Sequence, residues 1–261
     1  MGFLGSLSII IPTYNRENFV KRTLSYWSGK EPVIIVLDGS TKALSDEFLK
    51  SLEKNIYYLH FPNLSFQQRL SQLDNLIETK YCMLHADDEI FLLSGLSRCI
   101  EEIESNNLIC CLGRCLEFEY ADKQIITKPW NPLHTSFDGY SLLDDSPIVR
   151  IFKHMHPYLC STVYAVTKTE NFLNNISCHV DDKIENLFFE ISYELSSAFQ
   201  GKSKVINELS WLRSNENTPH YTKDKRKGKR TKETYQIIME SDFKTNPVIT
   251  KIAKHLHDLD N

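Results

Sequence analysis

Glycine and proline are both scarce, nine of each in 261 residues. That excludes a collagen-like chain, and the absence of a sustained heptad excludes a coiled coil. Positive charge is not in excess: 30 Lys and Arg stand against 34 Asp and Glu, a net charge of -4. A dedicated nucleic-acid binder would be basic overall. No apolar run approaches the ~20 residues of a membrane span; Leu7 to Ile11 is cut short by Pro12, Thr13 and Asn15. The basic start of a secretory leader is missing as well. Met1-Gly2 with Ser6 matches a myristoylation pattern, but these residues lead straight into a strand. The seven cysteines (Cys82, Cys99, Cys110, Cys111, Cys115, Cys160 and Cys178) include no C-x-x-C pair. An odd number in apolar contexts suits small buried hydrophobes in a reducing, cytoplasmic compartment better than disulfides or a zinc ribbon. No G-x-G-x-x-G, G-x-x-x-x-G-K-[ST] or G-x-S-x-G occurs, which removes the usual dinucleotide, nucleotide and nucleophile-elbow loops.

What is present is ordinary globular composition, 41% apolar and 25% charged. Leu7 to Ile11, Val33 to Leu37, Ile56 to Phe61 and Tyr81 to His85 read as strands. Helical spacing fills the gaps over Glu17 to Trp27, Ser45 to Lys54 and Ser65 to Glu78, with Ser45 as an N-cap. This alternation predicts an α/β chain with a parallel sheet and helices on both faces. Beyond it the sequence predicts a helix over Ser94 to Glu104 and a strand over Leu108 to Leu112. A hairpin of Arg114 to Tyr120 with Gln124 to Lys128 comes next, then a long loop over 129–147. Strands at Thr162 to Val166 and Val205 to Arg213 flank a helix over Asp182 to Phe199. One or two helices are expected over Glu233 to His257.

Open parallel sheets bind ligands at the carboxyl ends of their strands. Thr13 to Asn15, Asp38 and Asp87-Asp88-Glu89 fall at such ends. A nucleotide held without a glycine cradle needs its phosphate charge met differently, and a carboxylate-bound Mg²⁺ or Mn²⁺ does that. A solvated loop, or a cap for the Ser94 helix, accounts for the same acids.

Read together, Ile9-Ile10-Ile11-Pro12-Thr13-Tyr14-Asn15-Arg16, Val36-Leu37-Asp38-Gly39-Ser40 and His85-Ala86-Asp87-Asp88 resemble the nucleotide-binding half of family 2 glycosyltransferases. These have the GT-A fold, a Rossmann-like, mostly parallel sheet flanked by helices. The resemblance covers residues 7–110, weakens toward 215, and stops there. It implies a GT-A domain over 1–215, with a nucleotide-binding half to 110 and an acceptor-side half after it. Residues 216–261 would be a basic linker and a short helical extension.

The resemblance also implies roles. Pro12, Thr13, Tyr14 and Asn15 line the uracil and ribose. Asp38 contacts the uracil, whose N3–H a carboxylate accepts, whereas cytosine presents an acceptor there. That favours UDP, with dTDP second. Arg69 lies near the diphosphate or base, unless it is a solvated helix residue. Asp88 binds the metal, with Asp87 beside it; His85 stands where such enzymes more often have an acid. Asp182, with Asp181 as runner-up, is the general base of an inverting transfer, or caps its helix. Glu185 and Glu190 lie further along. Arg213 and His220 fall in a segment that can close over the diphosphate, and His220 can reach the metal. His154 and His156 read as a loop pair rather than a metal site, and Trp130 and Trp211 as packing rather than sugar platforms. The run Lys223 to Lys232, seven Lys or Arg in ten residues, is a solvated linker, a contact with anionic lipid or a lid. The expected function is metal-dependent transfer from a UDP-sugar to a saccharide or lipid-linked acceptor, in cell-surface polysaccharide or glycan synthesis. It would act in the cytoplasm or at the inner membrane face, with no nucleic-acid partner. A nucleotidyltransferase and a non-catalytic nucleotide-binding or scaffold module are the alternatives.

Overall fold

Four unbroken apolar runs form a parallel sheet, the three inner runs buried on both faces and the edge run, Ile56–His60, only half-buried. The computed structural model describes residues 3–121, 124–129, 139–155, 160–177 and 186–216. Strands β1 (Leu7–Thr13), β2 (Val33–Asp38), β3 (Ile56–His60) and β4 (Tyr81–Leu84) lie side by side in the order β3-β2-β1-β4. The register pairs Ile9 with Ile34 and Thr13 with Asp38, so the carboxyl ends of β1 and β2 finish level. Successive side chains alternate between faces. Leu7, Ile9 and Ile11 therefore pack with helix α1 (Glu17–Trp27) and helix α4 (Leu93–Asn106), through Leu24, Trp27, Leu96 and Ile100. Ile10 packs on the opposite face with Leu70, Leu73, Phe172 and Tyr193. Those come from α3 (Phe66–Leu70) and its following 3-10 turn, and from α6 (Thr169–Ser177) and α7 (Asn186–Gln200). Each such large apolar side chain contributes about 1.5–3 kcal/mol by leaving water.

The second half is mixed. β9 (Val166–Lys168) inserts antiparallel between β4 and β6 (Cys110–Ala121). β10 (Ser203–Ser214) runs parallel to β6 and carries β5 (Ile90–Phe91) and β8 (Ser141–Leu142) antiparallel. β7 (Gln124–Pro129) closes the expected hairpin on β6. The short helix α2 (Asp46–Lys50) begins at the expected cap, Ser45, whose Oγ accepts the Phe48 amide at 3.3 Å.

Several elements depart from expectation. The helix predicted over 65–78 stops at Leu70, and Ser71 Oγ donates to the Gln68 carbonyl at 2.8 Å as the chain tightens into a 3-10 turn. The loop predicted over 129–147 contains β8 and ends where Pro147 opens α5 (Pro147–Met155), a first-turn position that needs no amide proton. His154 is thus a helix residue, not a loop one. The strand predicted at Thr162 to Val166 begins only at Val166, because Glu194 takes the amides of Thr162 and Val163 out of any ladder, at 2.8 and 3.0 Å. The long second helix is described from Asn186 onward. Cys82, Cys99, Cys110, Cys111, Cys115 and Cys160 are free thiols, the first four buried. Asp181, Asp182, Glu185, His156, Trp130, Cys178, His220, Lys223 to Lys232 and the C-terminal helices lie outside the described residues. No described helix is long and apolar enough to cross a membrane.

Glu194 is a fully buried hub in the second half of the fold. Besides the two amides it accepts Thr162 Oγ1 at 2.7 Å and bonds His154 Nε2 at 2.7 Å; the ring's Nδ1 bonds Tyr140 Oη at 2.5 Å. Burial alone would raise its carboxyl pKa, but the bonds from His154 and Thr162 win and hold it below 4.5. An acid depressed in the fold stabilises above its unfolded pKa, and that stability is lost as pH falls through the folded value. Glu194→Gln replaces charge-assisted bonds with weaker ones and is expected to cost about 1.5–3 kcal/mol at neutral pH. Urea unfolding of both proteins checks it: the difference should shrink below about pH 4.5, the ordinary value of this carboxyl.

Candidate active site at the carboxyl ends of β1, β2 and β4

The chain leaves β1 through Asn15, whose φ of 55° lies in the left-handed region that asparagine tolerates. This turn aims the Asn15 amide at Ser40 Oγ, 2.7 Å away, and its Oδ1 at the Thr41 amide, 3.1 Å away. The loops after β1 and β2 are thereby tied together. Between them lies a cleft of about 240 Å³ lined by Asn15, Glu17, Asp38, Ser40, Lys42 and Leu44. Asp38 sits at its floor. One carboxylate oxygen accepts the Ser40 amide at 2.7 Å and the other accepts Tyr58 Oη, so the group is held rigidly and retains lone pairs. Tyr14, which precedes the cleft residue Asn15, is 59% exposed.

Arg69 is buried behind this floor. Its Nη1 donates to the carbonyls of Thr13, at 2.8 Å, and Leu37. It cross-braces the two strand ends, a third arrangement beside the diphosphate contact and the solvated helix face. A Cβ at position 39 would lie 2.7 Å from the guanidinium carbon, so any larger residue there must displace the Arg69 head from its place.

The loop after β4 carries the acid pair. Asp87 accepts Thr13 Oγ1 on one oxygen at 2.6 Å and meets Arg16 Nη1 on the other at 2.8 Å. Asp88 meets the second nitrogen of the same guanidinium at 2.5 Å. Burial pushes the Asp87 carboxyl up to about 6, against the pull of Thr13 and Arg16. The loop backbone is fastened to α1, since Thr23 Oγ1 donates to the Asp87 carbonyl at 2.7 Å and Arg22 to the Asp88 carbonyl at 2.8 Å. Arg22 also pairs with Glu216 at 2.7 Å, at the end of the described chain. Among the described residues no three His, Cys, Asp or Glu side chains converge as a closed metal cage. The donor set still fits a hard cation, because Mg²⁺ and Mn²⁺ typically take one or two carboxylates and complete their shells with substrate phosphates and water.

The model of glycosyl transferase family 2 matches residues 8–156, more than half of the chain. The chain belongs to this family. The crystal structure of S. aureus TarS 1–349 in complex with UDP-GlcNAc superposes with a TM-score of 0.57 at 15% identity, covering 96% of this chain and 72% of that one. TarS 1–349 in complex with UDP gives 0.54 at 13% identity, over 90% and 66% of the two chains. The crystal structure of S. aureus TarS gives 0.55 at 13% identity, and there this chain spans only 40% of the other's length. At these identities the likeness is one of fold, and it shows the GT-A architecture. No curated protein matches the chain.

Within this family 2 fold, Pro12, Thr13, Tyr14, Asn15, Asp38, Arg69, Asp87 and Asp88 gather at one end of the sheet. His85 does not join them. It is fully buried, accepts Trp27 Nε1 at 3.1 Å on Nε2, and so donates from Nδ1 to the Ala86 carbonyl at 2.6 Å. Burial pushes it down to about 4, and it stays neutral. Trp211 is core, stacked on Phe91 at 5.8 Å, with its Nε1 donating to Glu89 at 2.6 Å. Burial lifts that Glu89 carboxyl to about 8. Arg213 lies beside it, 5.9 Å over the Trp211 ring, and His154 and Glu190 lie on α5 and α7, not in the strand-end loops. Arg16 and Tyr58 carry no role in the sequence reading. Arg16 could have been singled out only as the one cation inside the strand-end motif.

Proposed function

We propose that this family 2 chain transfers a sugar from a UDP-sugar to a hydroxyl acceptor, with inversion at the anomeric carbon. The observation that carries this is the placement of Asp38 on the floor of the strand-end cleft at the end of β2, with the Asp87-Asp88 pair after β4, on the other side of β1. The first acid suits the base and the second suits the diphosphate. Asp38 accepts the N3–H of uracil, and the exposed Tyr14 ring offers a stacking face. Thymine presents the same N3–H, so a dTDP-sugar is the second candidate donor. Asp88, steadied by its neighbour Asp87, holds Mg²⁺ or Mn²⁺, which when bound neutralises the charge gathering on the leaving diphosphate. Asp182 takes the acceptor proton, with Asp181 as runner-up. His220 is a further candidate metal ligand. The acceptor is a saccharide or lipid-linked glycan, as cell-surface polysaccharide synthesis requires. Lys223 to Lys232 rests on anionic lipid at the inner membrane face.

A screen of UDP- and dTDP-sugars for hydrolysis with manganese tests the reading; no turnover with any of them counts against it. Asp38→Asn gives the sharper result. A carboxylate repels the ring nitrogen that cytosine presents, whereas an amide can donate to it. UDP binding should weaken about tenfold or more, with or without metal, and the preference for UDP over CDP should narrow. Unaltered UDP affinity would remove Asp38 from the base site.

A further inference from the structure

Arg16 forks across both acids of the β4 loop, and the two acids are held unequally. Both backbone carbonyls are fastened, by Thr23 and Arg22, but the Asp87 carboxylate is also fixed on its other oxygen by Thr13. The Asp88 carboxylate has Arg16 as its one side-chain partner among the described hydrogen bonds and ion pairs. Arg16 itself remains 30% exposed, and the Phe19 ring lies 4.8 Å from its guanidinium. The side chain is thus paired yet has solvent on one side, while Asp87 and Asp88 are 2% and 9% exposed. A hard cation on Asp88 would stand within a few ångströms of the guanidinium and share one carboxylate charge with it, which leaves the two cations opposed. A diphosphate removes that conflict, because its oxygens can take the cation and the planar guanidinium together.

We propose that Arg16 is a resident counter-cation that makes metal binding at Asp88 conditional on the nucleotide. Without nucleotide, Arg16 holds Asp88 and keeps a divalent metal off it. When a nucleoside diphosphate enters, its phosphates draw the guanidinium away and the carboxylate is released to the metal. When the diphosphate leaves, Arg16 returns and the metal departs with the product. The inference rests on the reading of Asp88 as the metal ligand.

Manganese binding to the full chain, followed by the paramagnetic resonance of free Mn²⁺, tests it without reference to turnover. Wild type should bind Mn²⁺ poorly alone and at least about tenfold more tightly with UDP. Arg16→Gln should bind Mn²⁺ alone at least about tenfold more tightly than wild type does, and UDP should then strengthen it less. Arg16→Lys, a point charge that cannot fork both acids, should fall between. Circular dichroism establishes that each variant is folded, and if Arg16→Gln is not, the lysine variant carries the test. Wild-type Mn²⁺ affinities in the folded variants, with and without UDP, overturn the proposal. Asp88→Asn separates the two failures. If it loses Mn²⁺ while the Arg16 variants behave as wild type, only the counter-cation role falls. If it keeps wild-type Mn²⁺ binding with UDP, the metal assignment falls and the proposal with it.

Discussion

Asp88→Asn is expected to abolish metal-dependent UDP binding and to lower kcat/KM for transfer by about 10³-fold or more. Two unit charges 4 Å apart in an effective dielectric of about 20 repel by about 4 kcal/mol. A diphosphate brought against the buried pair Asp87 and Asp88 meets that opposition unless a cation stands between. The asparagine keeps the volume and loses the charge, so the strand ends should stay in place. Asp87 is less suited to the test, because its carboxylate also anchors Thr13 at 2.6 Å and its loss would disturb the β1 loop. Calorimetric titration with UDP, with and without manganese, gives the answer. A variant that binds UDP and manganese as tightly as wild type would show that the metal lies elsewhere.

Asp182→Asn is expected to cut kcat by about 10²–10⁴-fold while leaving UDP and metal binding nearly intact. Inversion by single displacement requires the acceptor hydroxyl to lose its proton as it attacks from the face opposite the diphosphate. Under the proposed function the acids after β4 hold the metal on the leaving-group side, so the base must come from elsewhere. Asp181-Asp182 precedes α7 in the sequence, in the part of the chain that the family resemblance assigns to the acceptor. Single-turnover transfer measured beside UDP binding separates the outcomes. Near-wild-type transfer would exclude Asp182 as the base. Weakened UDP binding would instead mark it as a residue that holds the local structure.

The parallel half of the fold was legible because buried parallel strands appear as continuous apolar runs. β1, β2, β3 and β4 all fall where the runs do, and Asp38 and the Asp87-Asp88 pair fall at their ends. Hydrophobic pattern says nothing, however, of bonds between residues far apart in the chain. The Arg16–Asp88 pair spans 72 residues, and Arg69 bonds carbonyls 56 and 32 residues away. Arg69 reads in sequence as a diphosphate or base contact, or a solvated helix-face cation, and is a buried brace in the fold. The same blindness displaced β9, since the amides of Thr162 and Val163 are claimed by a glutamate more than thirty residues downstream. His85 was a departure from the family pattern whose reason lies in Trp27, which needs an acceptor for its indole proton.

One guanidinium joins two distant parts of the chain. Arg22 grips the Asp88 carbonyl with one nitrogen and Glu216 with another. A shift of the backbone at Glu216 is therefore passed through a single side chain to the loop that carries Asp87 and Asp88, and a shift of that loop is passed back the same way.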